Sequence, residues 1–350
     1  MSLYTASKRA RVGVVGGGWV ATARHIPVYE RDGLATVEAL LDPDQHKGES
    51  TVRRFGIPHY YDRLDEFLHD HLDVVSVCTP PWAHAQVVEA ALRAGKHVLV
   101  EKPMTLTSEE GRSLEALAHE KGVVLCPAHN FLFSRSMQRA EAMLHKGKAG
   151  EIQWAMGLQL SSSRRRLPAW FEKLPGGLFF DEAPHILYLM RHYLGDLHVE
   201  QAWRTGNGNG SNYETERLEA RLQGARGVGT LNMWFGAPFS EWLFILFCSR
   251  AVLVLDLFRD IFIYLPPEKA HNATDILRSS ALGSLHLWRG IISSGIRQSL
   301  GQLFYGHDML IHRFLNAAVN GGEPPVSARD GWEVISLMEE ILRFSSQRDG

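Results

Sequence analysis

The 350-residue chain has little of what would place it in several broad classes. Its three cysteines, Cys78, Cys126 and Cys248, are odd in number and scattered, without the paired spacing of a disulfide framework or a structural zinc site. Neither sign of charge is in excess: 37 Lys and Arg against 39 Asp and Glu leave a formal net charge of −2. That balance offers no basic footprint for nucleic acid or an anionic membrane. An unbroken apolar run of the ~20 residues that cross a bilayer is also missing. The most apolar stretch, 242–265, is interrupted by Arg250, Asp256, Arg259 and Asp260. There is no internal repeat and no low-complexity tract. Lys8, Arg9 and Arg11 ahead of an apolar run raise the question of a leader, but cleavage there would remove the first strand and the glycine turn. The expectation is a soluble, cytoplasmic protein without nucleic acid, membrane or metal as partner.

What is present is an ordinary globular composition, 45% hydrophobic and 22% charged, long enough for roughly two domains of about 150 residues each. Runs rich in β-branched residues at 12–15, 36–41, 59–61, 74–79, 97–101 and 123–127 alternate with helical patterns at 19–30, 49–55, 62–69, 82–94 and 108–121. Such alternation predicts a doubly wound parallel α/β sheet, a Rossmann domain over 1–130. Thr107 and Glu110 form a capping-box signature for its last helix. Extended runs at 151–160, 198–204, 214–222, 227–235, 242–248, 251–257 and 261–265 follow, with a glycine-dense connection at 206–210. They predict an open-faced, mainly antiparallel sheet in an α+β domain over 131–350. Helices are expected at 182–194, within 272–320 and at 329–344. Apolar positions such as Leu231, Trp234, Leu243 and Ile245 on the sheet's open face predict a homodimer or homotetramer packed through it. Leu277, Ala281, Leu285, Trp288, Ile292, Ile296, Leu300 and Leu303 make a helical stripe, broken by Gly290 and Gly295, that reads as core, lid or subunit contact.

Two motifs carry chemistry. Gly16-x-Gly18-x-x-Ala21 follows the first strand and opens a helix, as a dinucleotide-binding turn does. Gly16 permits the tight turn, Gly18 lets a pyrophosphate approach the backbone, and Trp19 and Val20 bring N–H groups to the positive end of the helix. Asp42 ends the second strand, close to the ~20-residue offset expected of an acid that binds the adenosine ribose. A carboxylate there repels a 2′-phosphate, and neither Pro43 nor Asp44 offsets it, so NAD is favoured over NADP. The second motif, Glu101-Lys102-Pro103, sets an ammonium at the end of the run 97–101. The Lys102-Pro103 bond is expected to be cis.

Thr79-Pro80 followed by His84, then Glu101-Lys102-Pro103, then Gly176-Gly177-Leu178-Phe179-Phe180-Asp181-Glu182-Ala183-Pro184-His185 resemble the Gfo/Idh/MocA family of glucose–fructose oxidoreductases and inositol dehydrogenases. The resemblance is specific over about the first 130 residues and over 176–195. It implies Lys102, Asp181 and His185 as the catalytic group, and Thr79, Pro80, His84, Glu101 and Lys102 beside the cofactor. Asn130, Arg164 and Tyr188 are the corresponding candidates for the substrate. The chemistry agrees: a histidine suits proton transfer near neutrality, a lysine ammonium stabilises developing negative charge, and the expected roles are general acid/base for His185, electrostatic stabiliser and proton relay for Lys102, and substrate hydroxyl ligand for Asp181. Asp181 and His185 lie four apart, where Glu182 is expected to start a helix, and no third metal ligand is placed near them. This chain departs from the family's usual pattern at Ala183, where glycine is common, at Tyr188, where aspartate is common, and at Pro81, where asparagine is common. The expected activity is NAD(P)-dependent oxidation of a secondary hydroxyl on a sugar, polyol, sugar acid or nucleotide sugar. An NAD-dependent glycosidase and a non-catalytic NAD sensor are the rival readings. The cluster Arg164-Arg165-Arg166 suggests an anionic substrate group or a solvated face with one arginine turned inward.

Overall fold

The computed structural model describes residues 9–346 except 163, 166, 169, 206–215, 269 and 271. The connection 206–210, the start of the run expected at 214, and Arg166 therefore lie outside the described residues. The chain forms two compact units, Met1–His129 with His307–Ile335, and Asn130–Gly306 with Ser336–Gly350.

The first unit runs β1 (Ala10–Val15), α1 (Ile26–Arg31), β2 (Ala35–Leu41), α2 (Gln45–Phe55), β3 (His59–Tyr61), α3 (Leu64–His69), β4 (Val74–Val77), α4 (His84–Arg93), β5 (His97–Val100), α5 (Ser108–Lys121) and β6 (Leu125–Pro127). All six strands pair in parallel, in the order β3-β2-β1-β4-β5-β6. Val12, Val14, Val75, Val77, Val98 and Val100 are fully buried, which is why these strands read as near-continuous β-branched runs. The strand order reverses between β1 and β4, and a sheet of this kind binds ligands at the carboxyl ends of the strands flanking that point. Ahead of α5 the capping box is complete: Thr107 Oγ1 accepts from the Glu110 N–H, and Glu110 Oε2 accepts from the Thr107 N–H.

The second unit runs α6 (Arg135–His145), β7 (Ile152–Ser162), α7 (Leu178–Leu194), β8 (Leu197–Thr205), β9 (Arg217–Gly224), β10 (Gly227–Ala237), β11 (Glu241–Cys248), β12 (Ala251–Asp256), β13 (Ile261–Leu265) and α8 (Ala273–Ser299). The sheet order is β13-β12-β11-β7-β10-β9-β8, antiparallel at every pairing but β7–β10, which is parallel. α7 covers one face, and at Gly157 a side chain would collide with Ile186. Period-two alternation puts Leu231 on this buried face with Met233 and Phe235. Leu231 therefore does not belong to the open face, where Trp234, Leu243 and Ile245 are half-exposed.

Two further expectations are corrected. The segment 131–350 is not one continuous unit, because α9 (His307–Asn320) and the start of α10 (Ala328–Ser346) return to the first. There His312 Nδ1 lies 2.8 Å from Asp32 Oδ2, and Trp332 Nε1 donates to Glu115 Oε2 at 2.7 Å. The helical reading of 272–320 is broken after Ser299, where Gly301, Tyr305 and Gly306 all take positive φ. Among the described residues no helix is long and apolar enough to cross a membrane.

Candidate functional site

In the first unit the turn after β1 is built on Gly16, whose φ is 93° and whose Cβ, if it had one, would sit 2.8 Å from the Cys78 carbonyl oxygen. Only glycine allows that combination. Gly18 is the opposite case: a Cβ there would meet nothing within 4 Å, so its backbone is open to an approaching group. Exposed Trp19 and half-buried Val20 begin the helix, which winds through a π-helical turn at Ala21–His25 before α1. Asp42 is buried and holds the turn: Oδ2 accepts from the Gly17 N–H at 2.7 Å, and Oδ1 from the Asp44 N–H at 3.0 Å. Lys47 Nζ is also 2.7 Å from Oδ2. The cation that Pro43 and Asp44 do not supply thus comes from the first turn of α2. Beyond β4, Thr79 Oγ1 is buried with no hydrogen-bond partner. An open backbone at Gly18, a helix start and an orphaned hydroxyl at a neighbouring strand end fit a dinucleotide.

Two residues expected beside the cofactor, His84 and Glu101, hold other partners. His84 is fully buried, with Nδ1 2.7 Å from the Pro103 carbonyl and Nε2 2.9 Å from that of Thr79. Burial pushes its pKa down, and the two carbonyls oppose that. It bridges the segments that follow β4 and β5. Glu101 Oε1 lies 2.9 Å from His25 Nε2 and 3.2 Å from His307 Nε2, while Oε2 accepts the Lys102 N–H at 3.1 Å. Burial raises its pKa, but the hydrogen bonds from the two histidines outweigh it and hold the carboxyl well below the carboxylate range. His25 is pushed down by burial and bonds Ser76 Oγ through Nδ1 at 2.8 Å. His25, Glu101 and His307 each place a potential metal-ligating atom within 4.8 Å of the others, a set invisible in sequence because its members lie on three separate elements. Their spacing is that of hydrogen bonds. Lys102 follows β5, half-buried, with its peptide bond to Pro103 cis.

In the second unit Gly176 and Gly177, at φ 73° and 61°, deliver the chain into α7. The helix starts at Leu178, so Asp181 sits inside its first turn. His185, Tyr188 and Asn130 come together: the Tyr188 hydroxyl lies 3.0 Å from His185 Nδ1, takes the Phe131 N–H at 3.0 Å, and reaches Asn130 Oδ1 at 3.4 Å. Phe131 and Trp242 flank the His185 ring, with centroids 4.9 and 5.6 Å away. Tyr188 is 2% exposed, and its hydroxyl is held among His185, Phe131 and Asn130. Sequence reading missed Glu182, which is buried, accepts from Gln159 Nε2 at 2.7 Å and Ser161 Oγ at 2.9 Å, and pairs with Arg165. Its pKa is raised by burial against the pull of Arg165. Arg165 thus turns inward onto Glu182, and Arg164 is exposed.

Residues 10–129 match the model of the Gfo/Idh/MocA oxidoreductase family with an NAD-binding Rossmann fold. A dTDP-3,4-didehydro-2,6-dideoxy-alpha-D-glucose 3-reductase of Actinomadura kijaniata is 35% identical over 145 residues, 41% of this chain and 43% of that protein. The scyllo-inositol 2-dehydrogenase (NADP(+)) IolW of Bacillus subtilis is 29% identical over 191 residues, 53% of this chain and 52% of that protein. The chain spans about half the length of the curated relatives it matches. The WlbA dehydrogenase from Bordetella pertussis, solved in complex with NADH and UDP-GlcNAcA, superposes with a TM-score of 0.79 over 98% of this chain and 97% of that one. At 17% identity this likeness speaks for the fold alone. The domain at residues 10–129, with six parallel strands and a glycine turn, is thus similar to the NAD-binding Rossmann domain of the Gfo/Idh/MocA oxidoreductases.

Proposed function

We propose that this protein is an NAD-dependent dehydrogenase that oxidises a secondary hydroxyl of a sugar, polyol, sugar acid or nucleotide sugar, or reduces the corresponding ketone. The observation that carries the reading is the turn at Gly16–Gly18, strained at its first residue and open at its third, in a domain that matches the NAD-binding family. Bound nicotinamide would supply the hydride acceptor. The N–H groups around Gly18, Trp19 and Val20 would hold the pyrophosphate, Asp42 the adenosine ribose, and Thr79 Oγ1 a further polar group of the cofactor.

The proton is the task of the chain's own residues. His185 is assigned as general acid/base. The Tyr188 hydroxyl accepts the Phe131 N–H and has one proton to give. Given to Asn130 Oδ1, that proton leaves His185 donating through Nδ1, with Nε2 the unprotonated nitrogen of the ring, the form a general base needs. Lys102 is assigned to stabilise negative charge on the reacting oxygen, Asp181 to hold a substrate hydroxyl, and exposed Arg164 to meet an anionic substituent. The unpaired cysteines, two of them buried, suit a reducing cytoplasm. The half-exposed face carrying Trp234, Leu243 and Ile245 supports a homo-oligomer.

Incubating the protein with NAD and a panel of polyols, sugars, sugar acids and glycosides, while following NADH absorbance and released aglycone, tests the proposal. Net NADH from a free hydroxyl substrate is expected. Aglycone without NADH would make the protein a glycosidase, and NAD binding without either product would make it a sensor.

A further inference from the structure

We infer, on the dinucleotide reading of the Gly16–Gly18 turn, that Lys47 is a specificity-determining residue of the ribose site and lets this chain take NADP as a second cofactor beside NAD. Asp42 alone would exclude a 2′-phosphate, because a carboxylate set against the ribose repels another anion. The folded chain does not leave it alone. Lys47 Nζ lies 2.7 Å from Asp42 Oδ2, so what faces the ribose is an ion pair without net charge. The two partners are unequally held: the Asp42 side chain is 4% exposed and that of Lys47 43%. Backbone groups lock the acid, with the Gly17 N–H on Oδ2, the Asp44 N–H on Oδ1, and the Tyr60 hydroxyl donating to its carbonyl at 2.9 Å.

The main chain of Lys47 is fixed as well. Its N–H donates to Asp44 Oδ1 at 3.0 Å, its carbonyl accepts from Thr51 Oγ1 at 2.9 Å, and at Gly48 a side chain would collide with the Tyr60 ring. The part able to change partner is the lysine side chain, a flexible four-carbon stem that ends in three N–H donors. The supply of acceptors points the same way. A carboxylate offers about four lone-pair directions, and Gly17, Asp44 and Lys47 take three of those on Asp42. The one left, on Oδ1, suits a single ribose hydroxyl, so NAD is held with Lys47 still on Oδ2. A 2′-phosphate brought beside the same carboxylate draws the ammonium off Oδ2 and onto its own oxygens, and the charge that repels it is matched by the cation that binds it. The neighbouring acids are committed elsewhere: Asp44 caps α2, and Glu49 pairs with Arg53.

Fluorescence titration with NAD and with NADP, on the wild type, Lys47→Ala and Lys47→Arg, tests the inference, with far-ultraviolet circular dichroism to verify folding. The wild type is expected to bind both dinucleotides, with dissociation constants within about tenfold of each other. Lys47→Ala is expected to weaken NADP by about 10–100-fold, the value of a hydrogen bond to a charged group, and to leave NAD within about threefold. Lys47→Arg, which returns the cation, is expected to keep the wild-type ratio. A ratio that Lys47→Ala leaves unchanged overturns the inference, as does a wild type that binds NAD and is not saturated by NADP. A wild type that binds neither overturns the dinucleotide reading of the turn together with the inference, which tells the two failures apart.

Discussion

Asp42 serves the turn and the proposed ribose site with the same carboxylate. Oδ2 is shared by the Gly17 N–H and the Lys47 ammonium, and Oδ1 takes the Asp44 N–H, so the group is held before any ligand arrives. A hydrogen bond to a charged group is worth about 1.5–3 kcal/mol, or roughly 10–100-fold in affinity. Asp42→Ala is therefore expected to weaken NAD by about that factor, to weaken NADP less, and so to narrow the ratio between them in a fluorescence titration. An unchanged ratio would free Asp42 from the ribose. At this scale the sequence is a partial guide. Residue types within one motif, Gly16 with Gly18 or Asp181 with His185, are legible because their spacing is local. Lys47 beside Asp42, Arg165 on Glu182, and His25 with His307 on Glu101 are not, since each pair joins elements that only folding brings together. Tyr188 shows the same limit. It stands where the family has an acid, but its hydroxyl faces inward to His185.

Among the elements, those with local punctuation were readable. The Thr107–Glu110 box marks the start of α5 to the residue, and Gly122, at φ 64°, closes it. Thr107→Ala is expected to cost about 1 kcal/mol, the usual value of an N-cap, read as a lower urea midpoint with an unchanged slope. A shift within error would mean that packing of Leu114 and Leu117 alone holds the helix. α7 begins at Leu178, four residues ahead of the expected start at Glu182. The positive φ of Gly176 and Gly177 turns the chain into the helix there and brings Asp181 into the first turn. The parallel pairing of β7 with β10 was beyond reach, because alternation fixes which face a residue occupies but not which strand becomes its neighbour. Leu303, the last residue of the helical stripe read as core, lid or subunit contact, is buried and lies beyond the end of the helix at Ser299.

For the molecule as a whole, the return of His307–Ile335 to the first unit makes that domain discontinuous, and its buried histidines couple its stability to pH. His25 and His84 have pKa values lowered by burial, so each binds fewer protons folded than unfolded. Their contribution is complete above the ordinary value of 6.5 and is lost as pH falls below it toward the depressed folded values. Glu101 adds a loss of the same sign at lower pH, whereas Glu182, raised by burial, works in the opposite sense. The midpoint of thermal unfolding is expected to drop between neutrality and about pH 5, and His25→Asn to flatten that drop. A profile that His25→Asn leaves unchanged would contradict the assignment. The central claim, that His185 and Lys102 carry the proton and charge of a hydride-transfer reaction, is tested most directly by steady-state NADH formation from the substrate the panel identifies. His185→Ala and Lys102→Ala are each expected to lower kcat by about 10²–10⁴-fold while the NAD dissociation constant stays near that of the wild type. Normal turnover in His185→Ala, or a loss that follows weakened NAD binding, would contradict it.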